Sequence, residues 1–245
     1  MSVLDELHVR EDIVKVAGLA YGRQYTSGYD GNITVRLARD RILCTPSGMN
    51  KGFLRPQDLL VVDLSGETRK GSGVPSSEVR MHLLVYRERP DVNAVIHAHP
   101  PHCVACTLVG ISLAVPLVPE TAFLLGSVPT APYATPGTDE VPRAIEPFIK
   151  DADALLLARH GSITLGCDVW EAYNRLESLE HVAQTLFLAR NLGELVPLSA
   201  DEVERLRESV TARGLPWKFP GGQGIPASMV EAIVEKVLAR LRGGA

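Results

Sequence analysis

Histidines at the ends of two apolar segments are the strongest chemical signal in this sequence. His97 and His99 follow the apolar run Ala94-Val95-Ile96, and His160 follows the apolar run 154–158. Because residues two apart in a strand face the same side, His97 and His99 can converge on one ion. Three histidines at strand ends suit Zn²⁺ with an open coordination position, as in catalytic zinc sites. A single histidine at a strand end is usually an ordinary hydrogen-bonded residue, so the pair carries the signal.

A short polar segment, Ser76-Ser77-Glu78, begins a predicted helix that ends near Pro90. Free N–H groups and two hydroxyls at a helix start form an anion site, for which phosphate is the usual ligand. Ordinary helix capping by the same residues stays open as the alternative. Glu78 and His82 are four residues apart on one helix face, so a metal-ligating pair there stays open as well.

Two further turns have the composition of phosphate-binding loops. Gly31-Asn32 precedes one strand-like run, and Ser47-Gly48 follows the next one. Small residues expose backbone N–H groups without steric bulk, as phosphate binding requires. Ordinary β-turns share this composition, so neither turn is specific by itself.

The order of predicted elements indicates an α/β fold. Periodicity predicts helices over 9–24, 76–90, 138–150, 168–191 and 200–213, and a final helix that begins at a Ser228-x-x-Glu231 capping box. Strand-like runs lie between them, more often as hairpin-like pairs than in βαβ alternation. We therefore expect a single layered domain over 1–245, with a largely antiparallel central sheet flanked by helices and an extra C-terminal helical tail at about 216–245.

Composition and charge exclude several classes of protein. A chain of 245 residues is near the upper size of one hydrophobic core, and a net charge of −4 gives no nucleic-acid footprint. No apolar run is long enough for a membrane helix, and the N-terminus does not resemble a signal peptide. We therefore expect a cytoplasmic protein without nucleic-acid or membrane partners.

The cysteines do not suggest a disulfide framework in a chain of this length without a signal peptide. Cys103 and Cys106 form a C-x-x-C motif, but they lie in an apolar segment that predicts a helix. This setting favours small core side chains over a redox or metal role.

Taken together in chain order, these motifs resemble the class II aldolase/adducin family. The motifs are Gly31–Arg36, Thr45–Gly48, Ser76–Glu78, His97–His99 and Arg159–Gly161. The resemblance covers about residues 8–215. Within the family it is greatest for the L-fuculose-1-phosphate aldolases, which also share the motif at 131–138.

The resemblance implies a zinc-dependent aldolase that acts on a sugar phosphate. It implies one Zn²⁺ per subunit on His97, His99 and His160, with Glu78 at the metal in the empty site and acting as general base once substrate binds. It implies cleavage of a ketose 1-phosphate similar to L-fuculose 1-phosphate, reversibly, to dihydroxyacetone phosphate and a short aldehyde. The implied phosphate-binding residues are Gly31, Asn32, Ser47, Gly48, Ser76 and Ser77.

The aldehyde side of the site departs from the fuculose pattern. Glu120 stands where that pattern has a tyrosine, and Arg213 falls close to the place of a second, C-terminal tyrosine. We therefore expect Glu120 of a neighbouring subunit to act as the acid on the aldehyde side. The resemblance implies a homotetramer with sites at subunit interfaces.

Other activities on the same site stay open. They are an L-ribulose-5-phosphate 4-epimerase, a decarboxylase, a dehydratase, or an aldolase for 5-deoxyribulose or methylthioribulose 1-phosphate. The epimerase has Asp in its Ser-Ser-Asp motif, where this chain has Glu78, and this favours the aldolase. A non-catalytic, adducin-like interaction domain is the weakest alternative, because all three histidines and the glutamate are present.

Overall fold

The computed structural model describes residues 3–196 and 198–219. These residues form an α/β fold. The helices are α1 Val3–Gly22, α2 Val79–Glu88, α3 Pro101–Val109, α4 Glu140–Ile145, α5 Val169–Leu192 and α6 Ala200–Ala212. The strands are β1 Asn32–Ala38, β2 Arg41–Cys44, β3 Leu60–Val62, β4 Thr68–Lys70, β5 Ala94–Ala98, β6 Thr130–Ala131, β7 Ala154–Leu157 and β8 Gly161–Gly166. Most of the predicted tail, including its helix after Ser228, lies outside the described residues.

The eight strands form one sheet in the order β4-β3-β2-β1-β5-β8-β7-β6. Every neighbouring pair is antiparallel except β6 and β7, which are parallel. This confirms the expected largely antiparallel sheet. Strand β5 lies between β1 and β8, and its His97 pairs with Asn32 on one side and Ile163 on the other.

Helices cover both faces of the sheet, because successive strand residues point to opposite faces. On strand β5, Val95 joins the core cluster under α2 and α4, whereas Ile96 joins the cluster under α1 and α5. The alternation places His97 on the same face as Val95, toward α2. The histidine at the end of β5 therefore lies on the face of the sheet where Glu78 precedes α2.

The structure changes three sequence-based assignments. The predicted helix over 138–150 is shorter, since α4 ends at Ile145, two residues before Pro147, which has no N–H to continue it. The unassigned segment 110–136 contains a π-helical turn, Thr121–Leu125, and the short strand β6. Helix α2 begins at Val79, so the two serines lie in the turn before it.

Two expectations about composition are confirmed. Cys103 and Cys106 are buried free thiols of α3 that belong to a hydrophobic core cluster, as expected for small core side chains. In the described part of the chain, no helix combines the length and apolar character needed to cross a bilayer.

A buried carboxylate ties three parts of the chain together at the start of β7. Asp153 contacts Arg89 at 2.9 Å and Arg175 at 3.2 Å, and it also binds Lys218. Burial raises the pKa of Asp153, but its contacts with Lys218, Arg175 and Arg89 outweigh burial and hold the pKa below its ordinary value of 3.8. The network joins the end of α2, helix α5 and the segment after α6.

We expect Asp153→Asn to lower the free energy of unfolding by about 3 kcal/mol, because it removes the buried carboxylate that pairs with Arg89, Arg175 and Lys218. Since the folded pKa is lowered, this contribution is present above the ordinary pKa of 3.8 and is lost as the pH falls below it. Urea unfolding at neutral and acid pH measures both effects. Asp151→Asn, at an exposed neighbouring carboxylate, is the control. Equal stability of the two variants at pH 7 would contradict the prediction.

Candidate metal centre

Three histidine side chains meet at the carboxyl end of the central strand, as their spacing predicts. The ring centroids of His97, His99 and His160 lie 4.8 to 5.0 Å apart, with the rings edge to face. One nitrogen of each ring lies within 4.8 Å of the others, and the two Nε2 atoms of His97 and His99 are 2.9 Å apart. Imidazole nitrogens that converge in this way are the ligand set of a metal ion.

Two glycines allow the chain to fold this tightly around the histidines. A Cβ at Gly161 would lie 2.4 Å from the carbonyl oxygen of Ala98 and 2.7 Å from His99 Cδ2. Gly31 has a φ of +71°, and a Cβ there would lie 2.8 Å from the carbonyl oxygen of His97. Side chains at either position would therefore displace the backbone that carries the histidines.

The turn that carries His160 is strained and braced. Arg159 has a φ of +60°, a left-handed conformation that costs free energy for any residue other than glycine. Its N–H donates to Thr107 Oγ1 of α3 at 2.9 Å, and the N–H of His160 donates to Leu157 O at 3.1 Å. Helix α3 and strand β7 thus fix the orientation of the third histidine.

A hydrogen bond selects the tautomer of His97 that leaves a lone pair on its clustered nitrogen. His97 Nδ1 lies 2.8 Å from the Ser162 carbonyl oxygen, which only accepts, so Nδ1 carries the proton and Nε2 is free. His99 Nδ1 lies 3.7 Å from Asp30 Oδ2. Burial and then the neighbouring His97 and His160 lower the pKa of His99 to about 4. A neutral histidine is the form that binds metal.

Glu78 is the carboxylate of this centre. Its Oε1 lies 3.0 Å from His160 Nε2, and its Oε2 lies 3.4 Å from His97 Nε2. Burial raises the pKa of Glu78, but contacts with His160 and His97 outweigh it and hold the pKa well below its ordinary range. Asn32 Nδ2 donates to Oε2 at 3.2 Å, and the ring nitrogen nearest to Oε1 is His160 Nε2.

The residues present fit a divalent cation. Three imidazole nitrogens and one carboxylate oxygen are donors that Zn²⁺ accepts, and an ionised carboxylate beside the imidazoles has the charge to face a cation. His97, His99, His160 and Glu78 therefore lie together as the sequence predicts. Their assignment as ligands stays a prediction.

A row of polar contacts between β1 and α2 sets the position of Glu78. Thr34 Oγ1 lies 2.8 Å from both His82 Nδ1 and the Tyr86 hydroxyl, one helical turn and two turns beyond Glu78. Arg36 donates to the Tyr86 carbonyl oxygen at 2.7 Å. Residues two apart on β1 therefore contact residues four apart on α2. The row was not predicted from the sequence, because it depends on how β1 and α2 are packed.

The row corrects the open hypothesis that Glu78 and His82 form a metal-ligating pair. His82 is fully buried and faces Thr34, whereas Glu78 faces the histidine group. Burial lowers the pKa of His82 to about 3, with the charge of His97 acting in the same direction. His82 is therefore a neutral member of the buried row.

The residues predicted to bind phosphate lie in loops around the centre. Asn32 Nδ2 is 3.4 Å from Ser76 Oγ, which also accepts a hydrogen bond from the Glu78 N–H at 3.3 Å. Ser76 therefore caps the turn before α2, and its hydroxyl hydrogen stays available for an anion. The Ser47 N–H donates to the Val74 carbonyl oxygen at 2.8 Å, which joins the loop of Ser47 and Gly48 to the loop that precedes Ser76.

Two other predicted phosphate residues lie on exposed turns. Gly48 has a φ of +70°, with open space where a side chain would be. Ser77 is exposed, and a Cβ at Gly137 would lie 3.0 Å from its Oγ, so the loop at 135–138 adjoins it. Phosphate binding by all six residues stays a prediction.

Glu120, the predicted acid on the aldehyde side, is not part of this cluster. Its side chain is exposed, just before the π-helical turn Thr121–Leu125. Arg213 packs over the ring of Phe123 in that turn, 4.8 Å from the ring centroid. The two positions that depart from the fuculose pattern thus lie in one region of the surface. A role for Glu120 stays a prediction.

The sequence analysis missed Lys51, a buried lysine beside the loops. Its Nζ donates to the carbonyl oxygens of Met49 at 2.7 Å and Tyr29 at 3.1 Å. A lysine in a turn-rich segment is ordinarily exposed, and nothing in its spacing distinguishes it.

Comparison with known proteins agrees with the motifs. The class II aldolase and adducin N-terminal domain matches residues 11–187. An L-fuculose phosphate aldolase of Methanococcus maripaludis is 33% identical over 183 residues, 75% of this chain and 98% of the relative. A 3-oxo-tetronate 4-phosphate decarboxylase of Escherichia coli K12 is 34% identical over 208 residues, 82% of this chain and 96% of the relative. The solved structure of YgbL from Klebsiella pneumoniae is 35% identical, with a TM-score of 0.76, and covers 82% of this chain and 99% of that one.

The chain belongs to the class II aldolase and adducin family. The resemblance seen in the motifs is thereby confirmed. The relatives above are named as an aldolase and a decarboxylase, both lyases, and this chain is an enzyme of that family. Class II aldolases depend on a metal ion and act on sugar phosphates, and the histidine group is where this chain could hold the metal.

We expect His99→Ala to weaken zinc binding by more than about 100-fold, because even residues that only orient a metal ligand contribute 10- to 100-fold. Competition with a fluorescent chelator and elemental analysis of the purified chain measure the loss. His8→Ala, at an exposed histidine of α1, is the matched control. Retention of wild-type affinity by His99→Ala would remove this residue from the ligand set.

Proposed function

We propose that this chain is a zinc-dependent aldolase that cleaves a ketose 1-phosphate reversibly to dihydroxyacetone phosphate and a short aldehyde. The observation that carries the proposal is the position of Glu78. Its carboxylate contacts His97 and His160 and accepts a hydrogen bond from Asn32, next to the small-residue loops. A base beside a cation site and an anion site is what this reaction requires.

His97, His99 and His160 would hold a zinc ion as neutral ligands, and the ion would then keep its positive charge and supply polarisation of the ketose oxygens. Glu78 supplies the proton transfer. In the direction of synthesis it removes a proton from the hydroxymethyl carbon of dihydroxyacetone phosphate. In cleavage its protonated form returns the proton to the same carbon. Contacts with His160 and His97 favour the ionised form of Glu78, which is the form that accepts a proton in synthesis.

Asn32 holds the base in reach of the reacting carbon. Its amide donates to both Glu78 and Ser76, so it links the carboxylate to the loop proposed for phosphate. Contacts of Gly31, Ser47, Gly48 and Ser77 with the phosphate would use binding energy remote from the chemistry to fix the carbon near Glu78.

The proposal includes an assembly. We assign the aldehyde-side acid to Glu120 of a neighbouring subunit, which places the site at an interface of a homotetramer. The exposure of Glu120 supports this, since an exposed carboxylate is available to a second copy. We further propose a single cytoplasmic domain over 1–245, with the segment from about 216 as its tail. Light scattering that shows a monomer at micromolar concentration would contradict the tetramer.

A decarboxylase is the second candidate, and one comparison favours it. The Escherichia coli decarboxylase is as similar to this chain as the fuculose phosphate aldolase is, over a larger share of the chain. Loss of carbon dioxide from a 3-oxo acid phosphate also leaves negative charge beside a polarised oxygen. The two activities differ in the leaving group, so their products separate them.

We expect the zinc-loaded chain to release dihydroxyacetone phosphate from at least one member of a panel of ketose 1-phosphates. Release is followed by coupled oxidation of NADH, with and without a chelator. A chelator should abolish the activity and added zinc should restore it, because the cation is needed to polarise the substrate. No release by the zinc-loaded chain, with carbon dioxide released from 3-oxo-tetronate 4-phosphate, would replace the aldolase by the decarboxylase.

We expect Glu78→Gln to lower kcat by about 10² to 10⁴, the usual contribution of a general base, with zinc content unchanged. Glu120→Gln should lower kcat as well, if this residue takes the proton from the hydroxyl that becomes the aldehyde oxygen in cleavage and returns it in synthesis. Glu67→Gln, at an exposed turn far along the sheet, is the matched control. An unchanged kcat of Glu120→Gln over the full pH range would exclude that residue as the acid.

A further inference from the structure

We infer that Lys51 supplies the positive charge that balances the substrate phosphate in this site. The inference rests on the proposed function, since it assumes that the loops around Gly31 and Gly48 receive a phosphate. The residues predicted to bind phosphate are all uncharged. Lys51 lies outside the sequence motifs and would add the cation that selects a negatively charged ligand.

The burial of Lys51 is the first observation. The residue is 3% exposed, and its Nζ donates to the carbonyl oxygens of Met49 and Tyr29. In the described part of the chain no carboxylate forms an ion pair with it. Burial lowers the pKa of Lys51, while Asp30 and Glu78 act in the opposite direction from a longer range. An ammonium group removed from water without a counter-charge costs free energy, which a bound anion would offset.

The second observation is where the ammonium group lies. Tyr29 comes two residues before Gly31, and Met49 directly follows Gly48. Lys51 thus links the loop that leads to Gly31 with the loop that follows Gly48. An ammonium group has three N–H donors, and two of them are used by the carbonyl oxygens. The third N–H has no acceptor among the described residues, and we assign it to a phosphate oxygen.

The third observation concerns charge balance. The predicted phosphate residues Gly31, Asn32, Ser47, Gly48, Ser76 and Ser77 carry no charge. Helix α2 could contribute the positive end of its dipole, but the residue at its N-terminus is the anionic Glu78. A phosphate dianion would therefore face a carboxylate across neutral loops. The single positive charge of Lys51 would offset part of this negative charge.

The competing role for Lys51 is a clamp that holds the two loops together by hydrogen bonds alone. A clamp does not need the positive charge, so a variant that removes only the charge distinguishes the two roles. Lys51→Gln keeps an N–H donor for the carbonyl oxygens but removes the charge, whereas Lys51→Met removes both. The ligands are dihydroxyacetone phosphate and inorganic phosphate, added to the full zinc-loaded chain and followed by calorimetry. Lys15→Met, at an exposed lysine of α1, is the control.

We expect both Lys51 variants to bind each phosphate ligand about tenfold more weakly or worse, the usual effect of losing a charge-assisted hydrogen bond. Zinc content and the control should be unchanged. Wild-type affinity in Lys51→Gln would overturn the inference and leave the clamp. No binding of either ligand by the unaltered chain would instead overturn the proposed phosphate site and, with it, the proposed function.

A measurement on the unaltered chain covers the case in which both variants unfold. Lysine labelled with ¹⁵N reports the ammonium groups directly, and burial protects that of Lys51 from exchange with water. Addition of inorganic phosphate should shift this protected ammonium resonance. An unchanged resonance at saturating phosphate would overturn the inference.

Discussion

The antiparallel pairing of β5 with β1 and β8 is the constraint on which the whole site depends. It fixes Asn32 opposite His97 on one side and supplies Ser162 to the His97 ring on the other. The ladder hydrogen bonds lock this register, and a slip by one residue would turn His97 toward the opposite face. A central strand, paired on both sides and covered on both faces, is therefore the rigid support of the metal centre.

The site concentrates features that oppose folding unless something binds there. Arg159 is held in a left-handed conformation, and Lys51 is buried without an ion pair in the described region. Each costs free energy in the empty protein. An anion near Lys51 would offset the second cost, and a cation between the histidines and Glu78 would face an ionised carboxylate. The same groups thus preorganise the site for ligands of opposite charge.

The two halves of the site differ in how far one chain completes them. His97, His99, His160 and Glu78 contact one another within a single copy. Glu120 lies outside that cluster, on an exposed turn. Under the proposed function, the groups that act on the carbon–carbon bond thus lie within one copy, whereas Glu120 of a second copy would act on the aldehyde side.

Spacing and residue type in the sequence determined the histidine pair, the third histidine and the antiparallel sheet, whereas the family resemblance placed Glu78 at the centre. These follow from local rules, since strand alternation aligns His97 with His99 and apolar runs mark buried strands. Only the tertiary structure decided that His82 faces Thr34 instead of the metal centre, and that Lys51 is buried between two loops. Both outcomes depend on contacts between segments far apart in the chain, and periodicity within one segment carries no information about which distant residue covers it.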